Sequence, residues 1–292
     1  MPNIYFILFE FIVYILFLLC LRHAWHIGAH KVLQLVAGAL FGVLLELATI
    51  RQLNAYQYGQ FLIMVLDVPL CIGVAWGSII YSAMLFSDAT TLSYWERPVL
   101  DGLLALNIDL AMDAIAIRLG MWDWGRGLSF QYFGVPYANF WAWFWVVSSF
   151  SFGYRLLYQR DDWIGKWLAP LIAVIVGLIG VIGTNAFITF VVPLEVRGST
   201  VIITLSLAIG LIIYLRPKLH IHSVDPLVFW VPLISHVYFL IAGFISGAIF
   251  NPGFLLLVSA IMFGVALYLH YPTVSSVIAR SVLRDEAISE RD

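Results

Sequence analysis

Charge is scarce in this chain. Asp, Glu, Lys and Arg together make up 11% of its 292 residues, against roughly a quarter in a soluble globular domain. That shortage excludes an ordinary water-facing domain. The formal net charge of −2 supplies no basic field for nucleic acid. Cysteine is equally sparse: Cys20 and Cys71 both lie inside apolar runs and read as small buried hydrophobes rather than a disulfide framework. The first apolar run has no preceding Lys or Arg and no small-residue cleavage pattern, so it reads as a retained helix and not a signal peptide. Long polar connections are missing, which leaves no room for a soluble domain between the apolar segments. We find no internal repeat.

What the chain has instead is hydrophobic length: 62% of residues are hydrophobic and the mean hydropathy is +0.96. A membrane span needs about 20 mostly apolar residues to cross about 30 Å of hydrocarbon. Nine runs qualify, at 4–21, 32–50, 60–86, 98–119, 137–158, 166–191, 199–215, 226–248 and 253–271. They are continuous rather than alternating, which predicts helices and not a barrel. The expected fold is therefore an all-α polytopic membrane helix bundle of about nine transmembrane helices. It forms one domain over 1–272, with a polar cytoplasmic tail over 273–292. The spacings Gly38/Gly42, Gly73/Gly77 and Gly243/Gly247 suit close helix packing.

Nine spans place the odd-numbered loops and the C-terminal tail on one side. That side carries Arg22, Lys31, Arg97, Arg155, Arg160, Lys166, Arg216, Lys218, Arg280, Arg284 and Arg291; the other carries only Arg51, Arg118, Arg126 and Arg197. The positive-inside rule then puts the N-terminus outside and the C-terminus in the cytoplasm of a multi-pass cell-membrane protein.

A carboxylate inside a span costs about 2.5–3.5 kcal/mol on insertion scales and usually marks a site. Glu10, Glu46, Asp67, Asp101, Asp109 and Asp113 all fall in the first four runs, while the last five have only Glu195, beside an end. Asp109 and Asp113, four residues apart, lie about 40° apart around a helix and about 6 Å apart along it, on one face. In a low dielectric the two cannot both carry charge, so one should hold a proton near neutral pH. The bland alternative pairs them structurally, for example with Arg118 or Asn107.

Topology gathers further groups toward the same outer face: Glu46, Asp67, the loop with Trp122, Asp123 and Trp124, then Tyr132 and Asn139. The aromatic stretch from Met121 to Tyr137 is either an interfacial belt or a lid over a pocket. Trp141, Trp143 and Trp145 read as lipid or core packing. Histidines gather on the opposite side: His23, His26, His30, His220, His222 and His270. The first three would share a face if one helix carried them. No ligand carboxylate accompanies them within the spans, so a metal site is a weak reading. His236, in mid-span, reads as a packing histidine.

The stretch from Asp109 reads D-L-A-M-D-A-I-A-I-R-L-G-M-W-D-W, then Y-F-G-V-P-Y-A-N-F-W-A-W from Tyr132. With Glu46-Leu47, Tyr56-x-Tyr58, Val68-Pro69-Leu70 and Ala75-Trp76, it resembles the carotenoid biosynthesis membrane proteins that include the bacterioruberin-type and gamma-carotene 1′,2′-hydratases. The likeness covers roughly residues 38–155. This chain departs from that pattern at Ala114, where the family has Pro, at Ala142, where it has Gly, and at Asp67, where a small residue is expected. Small membrane lycopene cyclases are more distantly similar, and their Pro-x-Glu-Glu motif is absent.

The resemblance implies an enzyme acting on the end group of a long polyene or isoprenoid lipid, by acid-catalysed hydration of a terminal double bond. Asp109 and Asp113 would be acid and base, tuned by Glu46. Trp122, Trp124, Asn139, Tyr132, Tyr58 and Asp67 would form the substrate-binding set, and neither cofactor nor metal is called for. Two other classes stand beside this reading: a non-catalytic lipid or pigment carrier, and a metal-dependent oxygenase using the cytoplasmic histidines.

Overall fold

A backbone crossing hydrocarbon must satisfy its own amides, and helices do so within one segment. The computed structural model describes residues 3–53, 55–158, 160, 162–220 and 224–289, and among these it has nine α-helices. In chain order they are α1 (Ile4–Ile27), α2 (Ala29–Leu53), α3 (Leu70–Asp88), α4 (Arg97–Arg118), α5 (Tyr137–Tyr158), α6 (Trp163–Ala186), α7 (Leu194–Leu215), α8 (Leu227–Ser246) and α9 (Phe254–Ser289). Seven of them are long and apolar enough to cross a membrane, in a multi-pass arrangement. The two that fall short, α4 and α5, have 22 residues each, which is length enough. They pack on each other, with α3, α8 and α9 around α4 and α6 and α7 against α5. Shielded by these neighbours, α4 can carry Asp101, Asn107, Asp109 and Asp113, all buried, without presenting them to lipid.

The helix ends differ from the sequence reading in instructive ways. The first run continues to Ile27 and stops at Gly28, whose φ of 144° breaks the helix. His30 therefore starts a second helix and does not share a face with His23 and His26. It stacks on Tyr158, while His23 meets the Tyr81 hydroxyl at 2.9 Å. His222 lies outside the described residues. The third helix begins only at Leu70, because residues 57–69 form two short hairpin-like pairings. There β1 (Gln57–Tyr58) pairs antiparallel with β4 (Trp122–Asp123), and β2 (Met64–Val65) pairs with β3 (Val68–Pro69). After α6 the chain takes a π-helical turn over Phe187–Val191 before Pro193 starts α7. Helix α9 carries on past the expected span to Ser289.

Loops gather at two faces. On one, β1 joins β4, and the Arg118 guanidinium donates to the carbonyls of Phe133 (2.7 Å) and Asn251 (2.6 Å). On the other, the backbone N–H of His220 donates to the carbonyl of Ala89 (2.8 Å). Gly38, Gly42, Gly73 and Gly77 do seat α2 on α3: a Cβ on Gly42 would stand 2.6 Å from the Trp76 Cβ. Gly243 packs against Ile249 and Ile115, but Gly247 instead ends α8 in the left-handed region, at φ 75°, where no neighbour stands within 4 Å of a Cβ.

Candidate active site

The buried acids sort into two kinds. Glu10 is fully buried and accepts the backbone N–H groups of Leu62 (2.8 Å) and Ile63 (3.3 Å), so it anchors the β2–β3 hairpin. Asp101 accepts from the Ser151 hydroxyl at 2.5 Å and from Arg155 at 3.2 Å. Arg155 also donates to Ser87 and to Asp88, which takes a second bond from Arg97. This is a structural ion cluster tying α3, α4 and α5 at the inner side. Asp67 does not lie in a span and does not reach the cavity described below. It sits in the β2–β3 turn beside Leu66, whose φ is 58°, and pairs with Arg51 at 2.8 Å, both side chains more than half exposed.

Glu46, Asp109 and Asp113 form the second kind. Asn139, at the start of α5, donates both amide hydrogens: to Asp109 Oδ2 at 3.0 Å and to Asp113 Oδ2 at 2.6 Å. Both carboxyl groups are buried and divide one amide between them, and two acids that close in a low dielectric cannot both carry charge. Neither Arg118 nor Asn107 is the partner of the pair. Arg118 spends its donors on backbone carbonyls, and Asn107 donates to the Met262 carbonyl at 3.1 Å and faces His236. Asp109 Oδ1, buried, meets no partner among the described residues.

Glu46 stands nearby in the opposite condition. Its Oε1 accepts from Trp76 Nε1 (2.8 Å), and its Oε2 accepts from the Tyr58 hydroxyl (2.8 Å) and, in close contact, from the Tyr56 hydroxyl. Burial and the adjoining carboxylate push both phenols well above their ordinary range, so they stay donors. Three donors on one carboxylate offset part of the cost of burying it.

Glu46 and Asp113 share the wall of a cavity of about 200 Å³. Trp76, Trp122, Trp124 and Trp143 line it with ring faces and edges, and Phe9, Val13, Leu16 and Val231 continue it inward. Over its outer end lies the stitched pair of loops. Tyr58 opposes Trp122 in the β1–β4 register, and Tyr56 meets Trp124 edge-on at 4.6 Å. At the cavity's rim Ala138 and Thr189 are exposed and Thr49 and Asn185 half-buried.

Of the residues singled out from sequence, the fold brings Glu46, Asp113, Asn139, Tyr58, Trp122 and Trp124 to this wall. Asp109 sits directly behind Asp113. Tyr132 stands behind the aspartates as a prop: its hydroxyl donates to the Leu110 carbonyl at 2.7 Å and its ring lies edge-on to Phe140. The sequence reading missed Tyr56 and Trp76 as partners of Glu46. It also put Trp143 in packing, whereas this ring lies 4.3 Å from Trp76 on the cavity wall. Their signal was present in Tyr-x-Tyr and Ala-Trp, but nothing local pointed them at one carboxylate. Asn185, Thr189 and Ser235 gave no signal at all.

The family model described as carotenoid biosynthesis protein matches residues 2–213. The chain belongs to the carotenoid biosynthesis protein family. The match runs from α1 into the end of α7, well beyond the stretch whose motifs resemble the family by eye, and takes in every carboxylate of the site. Helices α8 and α9 lie outside it. No curated protein and no solved structure matches the chain. Among the described residues no three His, Cys, Asp or Glu side chains are grouped as a metal would require.

Proposed function

We propose that this member of the carotenoid biosynthesis family hydrates the terminal double bond of an acyclic carotenoid end group. The observation that carries the reading is the Asp109–Asp113 pair, buried on one shared amide, with Asp113 at the wall of an aromatic cavity and a separately satisfied Glu46 on the same wall.

Hydration of a trisubstituted alkene begins with proton transfer to the less substituted carbon, leaving a tertiary cation on its neighbour. Asp113 reaches the cavity and is the proton donor; Asp109 lies behind it and shares the proton that Asp113 delivers. The cation forms in a dry, low-dielectric space, where charge complementarity counts for more than in water. Glu46 provides a fixed negative charge, and the Trp76, Trp122 and Trp143 rings provide cation–π faces. Water then adds to the cation. The proton it releases returns to the aspartate pair, so the net change is gain of one water and the acid is regenerated. The rim, with Thr49, Asn185 and Thr189, is polar enough to pass water.

A carrier would be expected to pair off its intramembrane acids and leave the cavity neutral; Asp113 at the wall supports hydration instead. The decisive experiment is expression in a host that accumulates lycopene, with pigments analysed by mass. A product heavier by one water supports the reading, and unaltered pigment in cells with correctly inserted protein rejects it.

A further inference from the structure

A cavity of this size holds an end group, and a carotenoid is far longer, so the rest of the chain needs a place. The outer rim is poorly suited, being polar. The inner end of the cavity is apolar and lies along the seam between α1 and α8, where Leu16 and Val231 line it with Ser235.

On the far side of that seam is a separate groove of about 500 Å³, lined by Leu19, Leu227, Trp230 and Ile234 and, toward the inner face, by Arg22, His26 and the His23–Asp225 pair. Cavity and groove overlap in depth. On α1, Leu16 faces the cavity and Leu19, less than one turn on, faces the groove. On α8, Val231 and Ser235 face the cavity, while Trp230 and Ile234 face the groove. Trp230 and Leu19 are 45% and 41% exposed, so the groove lies on the outside of the bundle.

Among the described residues, the polar contacts across the seam lie toward its two ends, and the middle is apolar. Near the outer end the Tyr238 hydroxyl donates to the Tyr5 carbonyl at 2.5 Å and the Phe9 and Tyr238 rings lie 5.6 Å apart. Near the inner end His23 Nε2 stands 3.4 Å from Asp225. From Phe9 to His23, between those polar contacts, α1 rises about 21 Å at 1.5 Å per residue. Helix α1 packs chiefly on α2 and α3, and more lightly on α8.

We propose that the α1–α8 seam is a lateral doorway for the substrate's hydrocarbon chain. With the end group beside Asp113 and Glu46, the polyene passes between Leu16 and Val231 and lies in the groove of Leu19, Trp230 and Ile234 against the bilayer. This rests on the hydration reading for the identity of the chain. It adds that recognition extends through α8, which lies outside the family match.

The test fills the groove from outside. L19W and I234W change side chains that are exposed or half-buried and touch none of the carboxylates. The protein in lipid nanodiscs is titrated with lycopene and with a short isoprenoid of two isoprene units, by quenching of its tryptophan fluorescence, each variant calibrated against its own unliganded signal. Both variants should weaken lycopene by about tenfold or more, through loss of apolar contact along the chain, and leave the short ligand unchanged. Unchanged lycopene affinity in both variants overturns the doorway while leaving the hydration reading in place. Equal weakening of both ligands assigns the effect to the cavity and also overturns it. If the unaltered protein binds neither ligand, the carotenoid reading and the doorway fall together.

Discussion

At the scale of single residues, the site rests on one contrast: carboxyl groups close together are given opposite surroundings. Glu46 takes three donors from Tyr56, Tyr58 and Trp76, whereas Asp109 and Asp113 divide one amide between them. On the hydration reading, these surroundings make the aspartate pair the acid and leave Glu46 to face the cation. Asp113→Asn keeps shape and hydrogen bonding but delivers no proton. It should lower hydration by about a hundred- to ten-thousand-fold, measured as product per inserted protein, and Asp109→Asn should follow it because the shared proton is lost. Near-parent rates in both would remove the acid assignment. Glu46→Gln turns a donor toward groups that are themselves donors and removes the charge facing the cation. Turnover should drop by about a hundred- to a thousandfold while lycopene binding stays within a fewfold of the parent; equal losses in both would make Glu46 a structural residue only.

Elements decide how those residues meet. The β1–β4 pairing is only two residues on each strand, yet it sets Tyr58 against Trp122 and so closes the cavity from outside. The double variant Trp122→Ala/Trp124→Ala should impair turnover more than folding. A thermal midpoint close to the parent's with turnover sharply reduced is the expected result, and normal turnover would make both rings interfacial belt residues. At the other end of α4 the ion cluster is held by Arg155, only 4% exposed, between Asp88 and Asp101. Removing one partner of a buried pair leaves an uncompensated charge and costs about 3–5 kcal/mol. Arg155→Met should lower the unfolding midpoint in detergent, and adding Asp101→Asn should restore part of the loss. No recovery in the double variant would mean that Arg155 acts through packing alone.

Across the whole molecule, the described residues form nine α-helices, seven of them long and apolar enough to cross a membrane, and the uneven spread of Lys and Arg over the loops motivates a test of nine spans with the C-terminus in the cytoplasm. Topology reporters fused at the C-terminus and inserted in the 251–253 turn before α9 should read opposite compartments, with the C-terminal one cytoplasmic. Identical readings would break the nine-span topology. Glu46, Asp113, Asn139 and the paired loops lie toward one end of the bundle, and the Asp88–Arg155–Asp101 cluster lies toward the other.

The approximate number of helices, their order and the one-face spacing of Asp109 and Asp113 were legible in the sequence, because apolar length and helical period are local properties; several helix ends, at α3 and α9 above all, were not. The gathering of Glu46, Asp113, Asn139, Trp122 and Trp124 toward one end of the bundle also followed from counting spans. Which acids are tied off by structural partners was not legible. Glu10, Asp67 and Asp101 look like Glu46 and Asp113 in a hydropathy reading. What separates them is a partner more than 12 residues away: the Leu62 amide for Glu10, Arg51 for Asp67, Arg155 for Asp101. The three donors on Glu46 come from a loop and from α3, and the cavity's inner end comes from α1 and α8. Hydrogen bonds and cavities are made by chain segments that meet only after the helices have packed, and no local pattern encodes that meeting.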